Sequence, residues 1–120
     1  MAEILIIDDE PQMRRLIARI LSGAGHVVHE ANNGKEGIGS FRRVHPALVI
    51  TDLVMPEMGG RELASRLRIV SPTSRVLFMS GYTEDAVLRQ SVMEPGSVFL
   101  DKPFTFETLI RKVREALTAA

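Results

Sequence analysis

The chain has 120 residues, 45% of them hydrophobic and 25% charged, which suits one domain with a buried core and excludes a disordered chain. Fifteen basic side chains balance fifteen acidic ones, so there is no general electrostatic case for nucleic acid or an anionic membrane as a partner. The absence of cysteine excludes disulfides, thiolate metal sites and cysteine nucleophiles. The opening MAEILIIDDE has no basic n-region, and no apolar run approaches membrane-spanning length. The expectation is a single cytoplasmic domain over residues 1–120.

The first element is the apolar run ILII at 4–7. A helix follows from Pro11, with Met13, Leu16, Ile17, Ile20 and Leu21 at helical spacing, Arg14, Arg15 and Arg19 on the other side, and Gly23 and Gly25 at its end. Val27 and Val28 start a second strand, and a helix over about 35–43 stops before Pro46. ALVI at 47–50 is the third strand, followed by a helix over about 61–70 that stops before Pro72. VLFM at 76–79 precedes a helix over 84–93, which ends before Pro95 and Gly96. A fifth run at 98–100 leads to a last helix from about Thr105, with Phe106, Leu109, Ile110, Val113 and Leu117 on one face. Runs that are apolar throughout, and do not alternate, are read as strands covered on both faces. The order βαβαβαβαβα then implies right-handed crossovers and a three-layer α/β domain around a parallel sheet.

Ligands of such sheets bind outside the carboxyl ends of the strands, where the residues here carry chemistry. Asp8, Asp9 and Glu10 follow the first run, Asp52 the third, Ser80-Gly81 the fourth and Asp101-Lys102-Pro103 the fifth. Each has an ordinary structural reading. Asp8 or Asp9 could cap the helix at Pro11, and Glu10 could answer its dipole. Asp52 could close an Asx turn before Pro56, Ser80-Gly81 could be a plain turn, and Lys102 could be a solvated lysine. Together they are more specific. Carboxylates crowded at one edge repel unless a cation sits among them, and hard oxygen ligands suit Mg²⁺. A phosphoryl group clamped by the ion, the Ser80 hydroxyl and the Lys102 ammonium is then tolerated, and a carboxylate can act as nucleophile. Asp52 is the candidate, standing alone on what is expected to be a central strand.

The stretches ILIIDDE, LVITDLVMPEMGG, VLFMSGY and FLDKPF resemble the receiver domain of bacterial response regulators, with the right spacing along nearly the whole chain. The chemotaxis regulator of that family is an established example of the flavodoxin-like strand order 2-1-3-4-5, so the resemblance implies a doubly wound five-stranded parallel sheet in that order. It further implies that Asp52 accepts phosphate from a histidine on a kinase or phosphotransfer partner. Asp9, Asp52 and the Val54 carbonyl would bind Mg²⁺ directly, with Asp8 acting through water. Ser80 and Lys102 would contact the phosphoryl oxygens, and the Lys102–Pro103 bond would be cis. Ser80 and Phe99 would move on phosphorylation, and the surface around Phe99 and the last two helices would carry the output or a weak phosphorylation-dependent dimer of an otherwise monomeric chain. Many relatives have tyrosine at the Phe99 position, so here switching would rest on burial alone. Tyr82 and Val54 would tune the lifetime of the acyl phosphate by screening it from water. The face of the first helix with Gln12, Arg14, Arg15 and Arg19 reads as solvated, although the resemblance implies that kinases and phosphotransfer proteins often dock on that helix. The stretch from FMSGYT to FLDKPF resembles receivers of hybrid sensor kinases, whereas MAEILIIDDEPQ resembles free-standing regulators. A small-molecule phosphodonor is also compatible.

Three rivals fit less well. A haloacid-dehalogenase-type phosphatase wants two aspartates separated by one residue after its first strand, where Asp8, Asp9 and Glu10 are contiguous. An FMN binder wants a Ser/Thr/Gly-rich phosphate loop there, not acids that repel phosphate. A degenerate receiver acting only as a binding module would lack some of the five site residues, all present here. His26, His29 and His45 are not at metal-ligand spacing and read as surface or helix-end residues, and Met55 and Met58 as loop packing.

Overall fold

Four of the five residues of the first strand, β1 (Glu3–Ile7), are completely buried, and they alternate between two cores. Ile4 and Ile6 join one cluster, Leu5 and Ile7 the other. That is why the run is apolar at consecutive positions: both faces of the strand are covered. The computed structural model describes residues 2–81 and 98–118. Its sheet continues with β2 (Val27–Ala31), β3 (Leu48–Asp52), β4 (Val76–Ser80) and β5 (Val98–Asp101), all parallel, in the order β2-β1-β3-β4-β5. The helices are α1 (Pro11–Gly23), α2 (Gly34–Val44), α3 (Gly60–Val70) and α4 (Phe106–Thr118). Residues of α1 and α4 fill one core and residues of α2 and α3 the other, giving the expected three layers and the 2-1-3-4-5 order. The helix expected over 84–93 lies outside the described residues. Among the described residues no helix is long and apolar enough to cross a membrane.

The strands run further toward their carboxyl ends than the apolar runs suggest. Thr51 and Asp52 still pair with Phe78 and Met79, and Ser80 with Asp101, because the ladder needs only main-chain groups. Asp52 and Ser80 are therefore the last residues of rigid strands and not the first of loops.

On α1 the expected faces are corrected. The stripe against the sheet is Arg14, Ile17, Ala18 and Leu21, whereas Leu16 is 50% exposed. At 3.6 residues per turn Leu16 lies roughly 200° round the helix from Arg14, so burying one exposes the other. Phe106 on α4 is likewise exposed, and the buried face there is Leu109, Val113 and Ala116. Of the histidines, His45 ends α2 in the left-handed region at φ 53°, His29 lies 3.3 Å from Glu3, and the half-buried His26 accepts a hydrogen bond from the Ala2 N–H. Met55 and Met58 pack in the α2/α3 core.

Two glycines of α2 separate packing from propensity. A Cβ on Gly37 would run into Ile7 Cδ1, whereas one on the exposed Gly39 meets nothing within 4 Å. Gly39→Ala is expected to raise the unfolding free energy by about 1 kcal/mol, from helix propensity alone. Gly37→Ala is expected to lower it by about 1–3 kcal/mol through overpacking. Urea denaturation with a common m-value checks both signs.

Candidate functional site

Each residue of the site stands where a strand stops. β1 hands over to Asp8, β3 ends in Asp52, β4 ends in Ser80, and Lys102 follows β5. Because β3 lies between β1 and β4, the Asp8 and Asp52 carboxyls are on neighbouring strands, with Ser80 beside them. The main-chain N–H of Lys102 donates to the Ser80 carbonyl at 2.8 Å, which anchors the start of the lysine side chain, and Lys102–Pro103 is cis. The lysine then reaches across β4, and its Nζ pairs with Asp52 Oδ2.

Asp8 and Asp52 are built alike. Asp52 Oδ1 accepts from the Val54 N–H at 3.1 Å, and Asp8 Oδ1 accepts from the Glu10 N–H at 3.0 Å. Each carboxylate thus closes a turn with one oxygen and keeps the other for the site. The Asx-turn reading of Asp52 holds for Oδ1, while Oδ2 pairs with Lys102. Neither Asp8 nor Asp9 caps α1; its N-cap is Glu10, without a side-chain cap bond. The free oxygen of Asp8, Oδ2, is buried with no hydrogen-bond partner.

A carboxylate with an orphaned oxygen is uncomfortable in its ionised form. Burial is the main reason that the Asp8 pKa is pushed up to about 6, the Glu10 N–H opposes the rise, and the Asp52 charge adds to it. For Lys102, burial alone would lower the pKa. The hydrogen bond and charge of Asp52, with help from Asp8 and Glu10, outweigh it and hold the pKa above the ordinary lysine value. The ammonium therefore stays charged and balances one of the acids.

Asp9 and Glu10 are exposed, and among the described residues no three His, Cys, Asp or Glu side chains are gathered round a metal position. Lys102 takes the place of a cation at Asp52 in this arrangement. The donor chemistry nonetheless fits a small hard divalent ion, because the unsatisfied oxygen is a buried carboxylate next to a second carboxylate. Ser80 is 5% exposed, whereas Val54, whose N–H bonds Asp52, is 53% exposed. Phe99 is buried and stacks on Phe78, ring centroids 5.5 Å apart. Tyr82 lies outside the described residues.

Sequence reasoning missed one residue that touches this site. Arg14, assigned to the solvated face of α1, is buried and donates from Nη1 to the Asp8 carbonyl at 2.8 Å. Its spacing places it on one helical stripe with Ile17, Ala18 and Leu21, but Met13, Leu16 and Ile20 offer an equally regular stripe, so spacing alone does not single it out.

A family model described as the response regulator receiver domain matches residues 4–114. The response regulator receiver protein CpdR of Brucella abortus is 32% identical over 120 residues, the whole of both chains. The sensor kinase CckA of the same organism is 36% identical over 118 residues, 97% of this chain but only 12% of that protein. Among solved structures, the chemotaxis response regulator CheY4 of Vibrio cholerae superposes with a TM-score of 0.85 at 27% identity, covering 97% of this chain and 98% of that one. With four strand ends delivering two carboxylates, a hydroxyl and a lysine to one edge of a 2-1-3-4-5 sheet, the chain belongs to the receiver-domain family of two-component signalling.

Proposed function

We propose that Asp52 is a phosphoacceptor. The observation that carries this is the Asp52 carboxylate at the end of a buried central strand, paired with Lys102 and next to the unpartnered Asp8 Oδ2. One carboxylate oxygen of Asp52 attacks the phosphorus of a phosphohistidine. The P–O bond forms, the P–N bond breaks, and the departing imidazole takes up a proton, leaving an acyl phosphate. Lys102 exchanges its bond to Asp52 for one to a phosphoryl oxygen, and the Ser80 hydroxyl donates to another. Asp9, Asp52 and the Val54 carbonyl would hold Mg²⁺ directly and Asp8 through water, and the ion would neutralise charge on the transferring group. Val54, with Tyr82, screens the product from water. Ser80 and Phe99 relay its presence to the surface.

Similarity to the receiver portion of a sensor kinase supports a histidine kinase or histidine phosphotransfer protein as donor, and small phosphodonors fit the same chemistry. The corrected exposed face of α1, with Gln12, Arg15, Leu16 and Arg19, is the docking face in this reading. The chain acts in the cytoplasm, turns over only its own aspartyl phosphate, contacts neither nucleic acid nor membrane, and is a monomer or a weak phosphorylation-dependent dimer.

Intact-mass measurement after acetyl phosphate and Mg²⁺ tests the assignment. The wild type is expected to gain one phosphoryl group, and Asp52→Asn or excess chelator to prevent it. A wild type that takes up none removes the phosphoacceptor reading, and equal labelling of Asp52→Asn moves the acceptor elsewhere.

A further inference from the structure

Arg14 is a charged side chain only 7% exposed, and phosphoryl transfer as described makes no use of it. Its guanidinium makes two bonds in different directions. Nη1 donates to the Asp8 carbonyl at 2.8 Å, and Nε donates to Glu30 Oε1 on β2 at 2.9 Å. Its own main-chain N–H bonds the Glu10 carbonyl at 3.0 Å in the first turn of α1. One rigid planar group thus ties together a helix, the end of β1 and the neighbouring strand.

The tie falls where the sheet no longer holds the chain. Pairing of β1 with β2 stops at Ile7 and Ala31, and with β3 at Ile7 and Thr51. One residue later, the Asp8 N–H still reaches the Ala31 carbonyl at 3.2 Å, but the Asp8 carbonyl has left the ladder. Arg14 supplies the missing donor, and Glu10 N–H holds Oδ1. Every polar group of Asp8 is then committed except Oδ2. The Arg14 charge is met by Glu30, and its bond to Asp8 goes to the main-chain carbonyl and not to the carboxylate. Arg14 therefore acts on the site through geometry.

Resting on the phosphoacceptor reading, we infer that Arg14 is a positioning residue: by clamping the Asp8 main chain to Glu30, it keeps Asp8 Oδ2 facing the site and so sets the affinity for Mg²⁺. Groups that orient a ligand without touching the metal typically govern about 10–100-fold of affinity. A lysine at this position keeps the charge but loses the rigid planar fork with which Arg14 meets the carbonyl and the carboxylate in different directions.

The experiment uses the full chain, unphosphorylated, as wild type, Arg14→Met and Arg14→Lys. Mg²⁺ dissociation constants are read by calorimetric or NMR titration, and acetyl phosphate uptake is followed against Mg²⁺ concentration. Arg14→Met is expected to bind Mg²⁺ at least ~10-fold more weakly, with Arg14→Lys between it and the wild type. At saturating Mg²⁺ the uptake rate of both is expected to return to within about twofold of wild type, since the loss is of binding and not of chemistry. A merely structural role would lower the urea midpoint and leave the Mg²⁺ constant unchanged, which would falsify the inference, as would a fall in the saturated rate at unchanged affinity. Should Arg14→Met not fold, a wild-type constant in Arg14→Lys overturns it equally. A wild type that binds no Mg²⁺ overturns the reading of the site on which the inference stands, whereas wild-type binding with indifferent variants overturns the inference alone.

Discussion

Asp8→Asn is expected to stabilise the metal-free protein at pH 7 by up to about 3 kcal/mol while disabling it for phosphoryl uptake. Asp8 carries a pKa of about 6 in the fold against an ordinary 3.8, chiefly because it is buried. Between those values the native state binds more protons than the unfolded chain, so stability falls as pH rises from about 4 to about 6 and stays lower above. Two units of pKa correspond to about 3 kcal/mol of that loss. Asparagine keeps the oxygen that accepts from the Glu10 N–H and puts a donor where the orphaned Oδ2 now sits beside Asp52. Urea denaturation in chelator should therefore show the variant ahead at pH 7 and level with the wild type near pH 4. A gain of the same size at both pH values would mean that the Asp8 charge is not its source. Uptake at limiting Mg²⁺ should drop by roughly 10–100-fold, the range typical of a group that acts on a metal ion through another ligand, here a water.

That exchange of stability for chemistry explains why this edge of the sheet was readable from the chain alone. Runs such as ILII and ALVI are constrained by burial on both faces, and a carboxylate at the end of such a run stands out against them even though one of its oxygens closes a turn. Asp8, Asp52, Ser80 and Lys102 were all singled out by their places just past the apolar runs. The layers followed from the alternation of short apolar runs with helical patterns, but the strand order came from resemblance, since periodicity does not say which strand lies next to which.

Arg14 and Leu16 show what local pattern cannot decide. A helix face is defined by what it meets, and an arginine can turn inward only when distant groups satisfy it. Here those groups are the Asp8 carbonyl and Glu30, sixteen residues on. Nothing in MRRLIARIL announces them. The pairing of Lys102 with Asp52 is also invisible in the sequence: the two are fifty residues apart and meet only because β4 lies between their strands. Phe106 was misplaced by extending the stripe of α4 one turn beyond the surface that receives it, whereas Leu16 was put on the wrong side of α1.

Gly60→Ala is expected to cost about 3 kcal/mol and to slow phosphoryl uptake at least ~10-fold, though Gly60 has no side chain to offer the site. A Cβ there would stand 2.5 Å from the Asp52 carbonyl oxygen and 3.1 Å from Leu53 Cα. Neither can yield freely. The Leu53 N–H is bonded to the Met79 carbonyl at 3.0 Å, the Leu53 carbonyl accepts from the Gly60 N–H at 3.0 Å, and the Leu53 side chain is buried. Relief must come from lifting the start of α3 or from bending the end of β3, and the second moves the Asp52 carboxylate away from Lys102. Gly59 is the internal control, because a Cβ on it meets only the Leu53 carbonyl at 3.0 Å and the neighbour has to give by a few tenths of an ångström. Gly59→Ala should accordingly cost no more than about 1 kcal/mol, in the range of a helix N-cap change. Urea midpoints and acetyl phosphate uptake at saturating Mg²⁺, measured on both variants, separate the two. If Gly60→Ala matched Gly59→Ala in stability and the wild type in rate, the close approach of α3 to the Asp52 main chain would not be what holds the acceptor in place.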